Sequence, residues 1–177
     1  MRNRMMGAGA VLLLAVGCAP AMGAGGKDPT AATVRFIDAQ GRPVGIAVLT
    51  EAERGVRVNV NVRGLPPGTH GIHIHENGVC DPPGFTTAGG HYDPTGRQHG
   101  LENPQGPHAG DLPNLTVGAD GEGAMEVVAP VVTLRGTNPL LKQGGTALVI
   151  HATADDQRTD PSGNSGARIA CGVIEER

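Results

Sequence analysis

The residues best suited to chemistry in this chain are its histidines, all seven of which lie between residues 70 and 151. His73 and His75 alternate with isoleucine on a predicted strand, so both imidazoles share one face of it. Two imidazoles on a rigid strand form half of a chelate for copper or zinc. Four further donors follow in a long loop: His91, His99, His108 and Asp111. Three imidazoles and a carboxylate suit a tetrahedral zinc site.

The elements that must position these donors are mostly short strands. Residues 56–62 alternate valine with arginine or asparagine, which is the period of two expected of a half-buried strand. Two weaker signals predict strands around Val34 and Phe36 and over residues 44–49. Further strands are predicted over residues 69–75, 115–117, 124–132, 146–151 and 169–174. No segment has helical periodicity with caps, so the pattern indicates a β-sandwich or barrel.

One region, residues 76–111, has few apolar side chains and no strand period. A loop of that length within a compact domain needs something to order it. Metal binding by the loop histidines would do so, which favours ligation over the ordinary role of a histidine as a surface or hydrogen-bonding residue.

Composition sets limits on the class of protein. Glycine (29) and proline (14) make up about a quarter of the 177 residues, and the only aromatic side chains are Phe36, Phe85 and Tyr92. Disordered chains have similar compositions, but a net charge of only −3 argues against disorder. With 14 basic and 17 acidic residues, no nucleic-acid surface is expected. The length predicts one domain, which we place at residues 31–177.

The N-terminus has the pattern of an export signal over residues 1–17. Arg2 and Arg4 precede an apolar stretch, residues 8–16, that is too short to span a membrane. Residues 15–18 resemble a bacterial lipobox and predict lipidation of Cys18, with ordinary secretion and cleavage near residues 19–21 as the alternative. Residues 18–30 would form a flexible tether. We therefore expect an exported protein of the periplasm or cell envelope, with this lipid anchor as its membrane contact.

Lipidation of Cys18 would leave two cysteines, Cys80 and Cys171. An oxidising compartment favours a disulfide between them, and two free thiols are the alternative. Such a bridge would close a loop of roughly 90 residues and, in the chain-entropy model, would stabilise the fold by about 4–5 kcal/mol.

Several segments, taken in order, resemble the copper/zinc superoxide dismutase family. The resemblance runs from about residue 32 to residue 174 and includes the spacing of the four loop donors. The segments are GIHIHE (71–76), AGGHYDP (88–94), HAGDL (108–112), VIHATADD (149–156) and GNSGARIACGVI (163–174). The resemblance implies an all-β Greek-key β-barrel or sandwich of about eight antiparallel strands with long metal-binding and active-site loops.

The resemblance also implies a role for each matching residue. One copper per subunit would be bound by His73, His75, His91 and His151. One zinc per subunit would be bound by His91, His99, His108 and Asp111, with His91 bridging the two metals. Arg168 resembles the arginine that guides the anionic substrate, and Asp155 the carboxylate that links His73 and His99. Cys80 and Cys171 match the disulfide of the family, whereas His70 lies outside the ligand set and is expected to form structural hydrogen bonds.

The implied activity is dismutation of superoxide to dioxygen and hydrogen peroxide by ping-pong redox cycling of copper, with zinc in a structural role. Such an enzyme would protect the cell envelope from superoxide. In that scheme His91 leaves copper and gains a proton when copper is reduced, then gives the proton up again. Both imidazole nitrogens of His91 are therefore required.

Two segments of this chain differ in length from those of familiar eukaryotic members, which limits what the resemblance implies about substrate attraction and oligomeric state. Residues 155–168 are short and contain no lysine, so Arg168 has only Arg158 as a second cation to attract an anion. Residues 80–91 are longer and lie near the dimer contact of eukaryotic relatives, so both a monomer and a homodimer stay open.

Two other functions stay open at this point. One is a non-catalytic relative that stores or delivers copper or keeps only zinc, but such relatives typically lose a copper ligand or the arginine, and this chain has all of them. The other is an exported interaction protein that uses a zinc-stabilised sandwich as a scaffold. Exposed aromatic anchors would favour such an interaction protein, but aromatic residues are scarce in this chain.

Overall fold

A computed structural model of the chain describes Met1 and residues 31–177. The predicted export signal, the tether and Cys18 lie outside the described residues. No helix in the described part of the chain is long and apolar enough to cross a membrane. Its regular elements are a single 3-10 turn at Thr86–Ala88 and nine strands. The strands are β1 (Ala31–Asp38), β2 (Pro43–Glu51), β3 (Val56–Val62), β4 (Gly68–His70), β5 (Ile72–His75), β6 (Leu115–Val117), β7 (Gly123–Ala129), β8 (Ala147–His151) and β9 (Arg168–Glu176).

The nine strands form one antiparallel sheet in the order β4-β6-β7-β3-β2-β1-β9-β8-β5. The valines of β3 point inward and its arginine and asparagines outward, as their alternation predicts. Phe36 of β1 packs with Leu148 and Ile150 of β8 in the core that the sheet encloses. The all-β prediction is confirmed, and the sheet is a nearly closed barrel.

Gly71 links the two edge strands of the sheet, β4 and β5. β4 pairs with β6 at one edge of the sheet, whereas β5, which follows after this single residue, pairs with β8 at the other edge. The N–H of Gly71 donates to the carbonyl of Thr153 (2.9 Å), and its own carbonyl accepts the N–H of His151 (2.8 Å). The strand predicted over residues 69–75 is therefore two strands, and the barrel has nine rather than about eight.

The strand predicted over residues 124–132 ends earlier, at Ala129. Ala129 pairs with Val56, the first residue of β3, so its partner strand extends no further. Pro130 follows and has no N–H to donate to a ladder. Both facts place the boundary at Ala129.

The two sides of the barrel are covered differently. Outward side chains of β3 are exposed, but every residue of β5 and β8 is buried, which shows that their outer face is also covered. Phe85 and Ala88 pack there against Ala147, Val149 and Cys171. A disulfide between Cys80 and Cys171 joins the covering loop to β9, as predicted. The segment over residues 76–111 thus encloses the outer face on which the predicted ligands lie.

Candidate metal centre

Four imidazoles meet on the outer face of β5 and β8. His73 and His75 lie on β5, His151 is the last residue of the neighbouring β8, and His91 is paired with His75 through an isolated β-bridge. One nitrogen from each ring lies within 4.8 Å of the others. The structure therefore brings together the four residues expected to bind copper.

Hydrogen bonds determine which nitrogen each of these rings presents. His75 Nδ1 lies 3.0 Å from the carbonyl of Gly89, and His151 Nδ1 lies 3.2 Å from the carbonyl of Gly166. Because a carbonyl only accepts, both contacts place hydrogen on Nδ1 and leave a lone pair on Nε2. The two Nε2 atoms face each other at 3.4 Å. Facing lone pairs repel, and a cation between them would relieve that repulsion.

The remaining two rings point an unpartnered nitrogen into the same space. His73 donates from Nε2 to Asp155 Oδ2 at 2.7 Å, and its buried Nδ1 has no partner. His91 contacts Asp111 through Nδ1 at 3.0 Å, and its Nε2 likewise has none. Buried polar atoms are rarely left unpaired. Two such nitrogens beside two facing lone pairs form a donor set that would suit a copper ion.

Burial keeps these rings neutral and ready to bind a cation. It is the main reason that the pKa falls to about 2 for His75, about 3 for His151 and about 4 for His91. The positive charge of Arg168 also lowers the pKa of His75 and of His151. Copper therefore meets no imidazolium proton at Nε2 of these three rings at neutral pH, although a metal at Nδ1 of His91 would displace the hydrogen directed at Asp111.

A second group shares His91 with the first. The Nδ1 atoms of His91, His99 and His108 lie 3.0, 2.9 and 3.4 Å from Oδ1 of Asp111. The other oxygen of Asp111 accepts the backbone N–H groups of Gly100 (2.8 Å) and His108 (3.0 Å), which fixes the carboxylate. Three imidazoles around one carboxylate oxygen fit zinc. The structure thus also brings together the four expected zinc ligands.

Asp155 connects the two groups. Its Oδ2 accepts from His73 Nε2 at 2.7 Å and its Oδ1 from His99 Nε2 at 3.0 Å. Burial opposes the charged form of His99, but its hydrogen bonds to Asp111 and Asp155 outweigh that effect and raise the pKa of His99 to about 9. Zinc binding at this ring must therefore release a proton.

Three residues that support Asp155 and His99 were not found from the sequence. Asn114 accepts the N–H of Asp155 and donates to its carbonyl, both at 2.8 Å. Asp160 accepts the N–H of His99 at 2.7 Å. Gly163 has a φ of +60°, and a Cβ there would overlap the Asp155 carboxylate. Asn114 and Asp160 act across 41 and 61 positions, so no local pattern marks them. Gly163 lies closer to Asp155 in the sequence and within a segment that resembles the family, but its contact with the carboxylate depends on how the loop folds.

Arg168 lies at the start of β9, beside the imidazoles. Its guanidinium donates to the carbonyls of Phe85 and Gly89, both at 2.6 Å. The carbonyl of Gly89 thus accepts from both Arg168 and His75, and this shared acceptor fixes the position of the arginine relative to the copper group. Arg158, the second expected cation, instead donates to the carboxylate of Glu102 at 2.9 and 2.5 Å.

His70 has the structural role expected of it. Its ring is buried, with Nδ1 lying 2.8 Å from the carbonyl of His151 and Nε2 lying 2.9 Å from that of Pro66. It supports the backbone at His151 and presents no free nitrogen to either group.

A β-barrel that carries two imidazole-rich groups joined by one histidine defines a protein with a dinuclear metal centre. The family model described as copper/zinc superoxide dismutase (SODC) matches residues 44–174. A Cu-Zn superoxide dismutase of Aquifex aeolicus is 49% identical over 146 residues, which cover 81% of this chain and 85% of that relative. The chain belongs to the copper/zinc superoxide dismutase family.

Solved structures agree with this assignment. A double mutant of a SOD-like protein from Bacillus subtilis matches with a TM-score of 0.78 and 44% identity, covering 81% of this chain and 96% of that one. The Cu/Zn superoxide dismutase from Brucella abortus matches with a TM-score of 0.66 and 38% identity, covering 82% and 99%. The predicted family, enzyme class and use of copper and zinc are confirmed.

Asp155→Asn is expected to weaken zinc binding by about 10–100-fold. An amide offers one acceptor oxygen, so either His73 or His99 loses the acceptor for its Nε2–H. Competition with a chromogenic zinc chelator measures the change. Asp120→Asn, an exposed carboxylate in the turn between β6 and β7, is the control. Equal zinc affinity in the Asp155 and Asp120 variants would contradict the bridging role.

The loop over residues 76–111 is expected to depend on zinc and on the disulfide for its order. Removing zinc and reducing Cys80–Cys171 should raise amide hydrogen exchange in this loop before it rises in β2 and β3, whose ladder pairs each of residues 45–51. Mass spectrometry of peptides after exchange measures this. Equal protection of the loop in the metal-free, reduced protein would show that other contacts order it.

Proposed function

We propose that the protein dismutes superoxide at a copper ion held by His73, His75, His91 and His151, with His91 shared with zinc. One observation carries this proposal: four buried imidazole nitrogens that are neutral or unpartnered converge beside Arg168, and one of their rings also belongs to the second ligand group. When bound, copper supplies one-electron redox chemistry, and zinc supplies positive charge without redox change.

The residues of the chain have separate tasks in this reaction, in which two superoxide ions and two protons give one dioxygen and one hydrogen peroxide. Arg168 binds and orients the anion, because its charge is not neutralised by the two carbonyls that hold it. His91 Nε2 holds a proton during one half of the cycle and donates it to the reduced oxygen species in the other. His91 Nδ1 stays within the zinc group, which maintains the orientation of the ring.

We also propose that the protein acts outside the cytoplasm and protects the cell envelope, anchored through lipid on Cys18 with residues 18–30 as its tether. The support is the sequence pattern of residues 1–18 and the disulfide, which is typical of an oxidising compartment. The mass of the N-terminal peptide of the native protein tests the anchor. An unmodified peptide that begins after residue 18 would show simple secretion.

Metal content and superoxide consumption of the purified protein test the activity. We expect one copper and one zinc per chain with rapid, cyanide-sensitive turnover. Zinc alone with no turnover would indicate a non-catalytic member of the family. Full copper with no turnover would indicate storage or delivery of copper.

His151→Ala is the matched variant for that experiment. It removes a ligand of the copper group alone, so dismutation should be abolished while zinc stays bound. Metal analysis and superoxide consumption are measured on the same sample. A fully active, copper-loaded His151→Ala variant would refute this copper assignment.

A further inference from the structure

Phe85 is a buried aromatic residue within an exposed turn. Its side chain is completely buried against Ala88, Ala147, Val149 and Cys171. Residues 81–84 on one side and Thr86 and Thr87 on the other are all exposed. The ring of Phe85 is therefore the one buried side chain that this segment, residues 81–85, packs against the barrel.

The backbone of Phe85 has a conformation that non-glycine residues rarely adopt. Its φ is +53° and its ψ is +26°, in the left-handed region. Such outliers persist when the surroundings over-determine them, and they cluster at functional sites. The N–H of Phe85 donates to the carbonyl of Asp81 (3.0 Å), so the turn is fixed by its backbone as well as by the ring.

This arrangement fixes the position of the Phe85 carbonyl. It accepts from the Arg168 guanidinium at 2.6 Å and from the N–H of Ala88 at 3.2 Å. The carbonyl of Gly89, at the far end of the same turn, holds the other nitrogen of Arg168. A shift of the turn would move both acceptors together.

We propose that Phe85 is a positioning residue for Arg168: packing of its ring against β8 and β9 fixes the two carbonyls that orient the guanidinium toward the anion. This inference rests on the proposed function, because it assigns to Arg168 the binding of the substrate anion. The disulfide alone does not provide the same restraint, since Cys80 precedes Phe85 by four exposed residues.

Azide serves as the probe, because it is a small anion whose binding is measured from the copper absorption spectrum without turnover. In the full chain loaded with copper and zinc, Phe85→Leu should weaken azide binding about twofold to threefold, and Phe85→Ala about fivefold to tenfold. Phe36→Leu is the matched control, since Phe36 is equally buried but lies in the barrel core. It should leave the azide affinity unchanged.

Phe85→Gly separates the ring from the backbone. Glycine adopts the left-handed conformation without strain but offers no anchor. We expect it to weaken azide binding as much as Phe85→Ala does. Native affinity in Phe85→Gly would show that the backbone conformation, and not the ring, positions Arg168, and would overturn the proposal.

A double-mutant cycle with Arg168→Met shows whether Phe85 acts through the arginine. Arg168→Met alone should weaken azide binding about tenfold or more. In that background, Phe85→Leu and Phe85→Ala should have no further effect. Equal losses in both backgrounds would mean a general structural effect and would overturn the proposal. If Phe85→Ala fails to fold, the cycle with Phe85→Leu decides.

The native protein separates this inference from the proposed function. If the native protein consumes superoxide and binds azide but the Phe85 variants match it in affinity, the inference alone is wrong. If the native protein takes up no copper, the proposed function is wrong and the inference is overturned with it.

Discussion

Each buried imidazole in the centre uses one ring nitrogen to contact a fixed protein acceptor, and this contact determines where the other nitrogen points. Carbonyls of Gly89 and Gly166 serve His75 and His151, and the carboxylate of Asp155 serves both His73 and His99. Without these acceptors a ring could turn, and its free nitrogen would leave the site. The acceptors come from loops rather than strands, so the order of the loops and the geometry of the donors depend on each other.

The barrel supplies the rigid half of this arrangement. β5 and β8 are buried on both faces: Ile74 and Ile150 pack inward, while His73 and His151 lie under the loops. The glycine- and proline-rich composition follows from the same division, because a small core of valine, leucine and isoleucine leaves the loops to be ordered by other contacts. The disulfide, the ring of Phe85 and the two carboxylates among the histidines supply those contacts in the structure.

Local patterns in the sequence were sufficient to predict β3, because its alternation of valine with polar residues reflects a strand with one solvent-exposed face and one buried face. The donor groups were also predictable, since the histidines occur at a spacing shared by a whole family. The split at Gly71 was not, because it depends on which edge of the sheet each half of the segment meets. Neither were the contacts of Asn114 with Asp155 and of Phe85 with Arg168, which join residues 41 and 83 positions apart.

The site has to attract an anion although the chain as a whole has a net negative charge. Arg35, Arg57 and Arg158 each pair with a glutamate, which offsets their charge at a distance. Within the described residues, Arg168 has no carboxylate partner and is held by two carbonyls, which satisfy its N–H groups and leave its charge uncancelled. Neutral acceptors therefore allow one guanidinium to be both fixed in place and attractive to an anion. A carboxylate in their place would hold the arginine as firmly but would repel the substrate, so the turn that presents these carbonyls is part of the site.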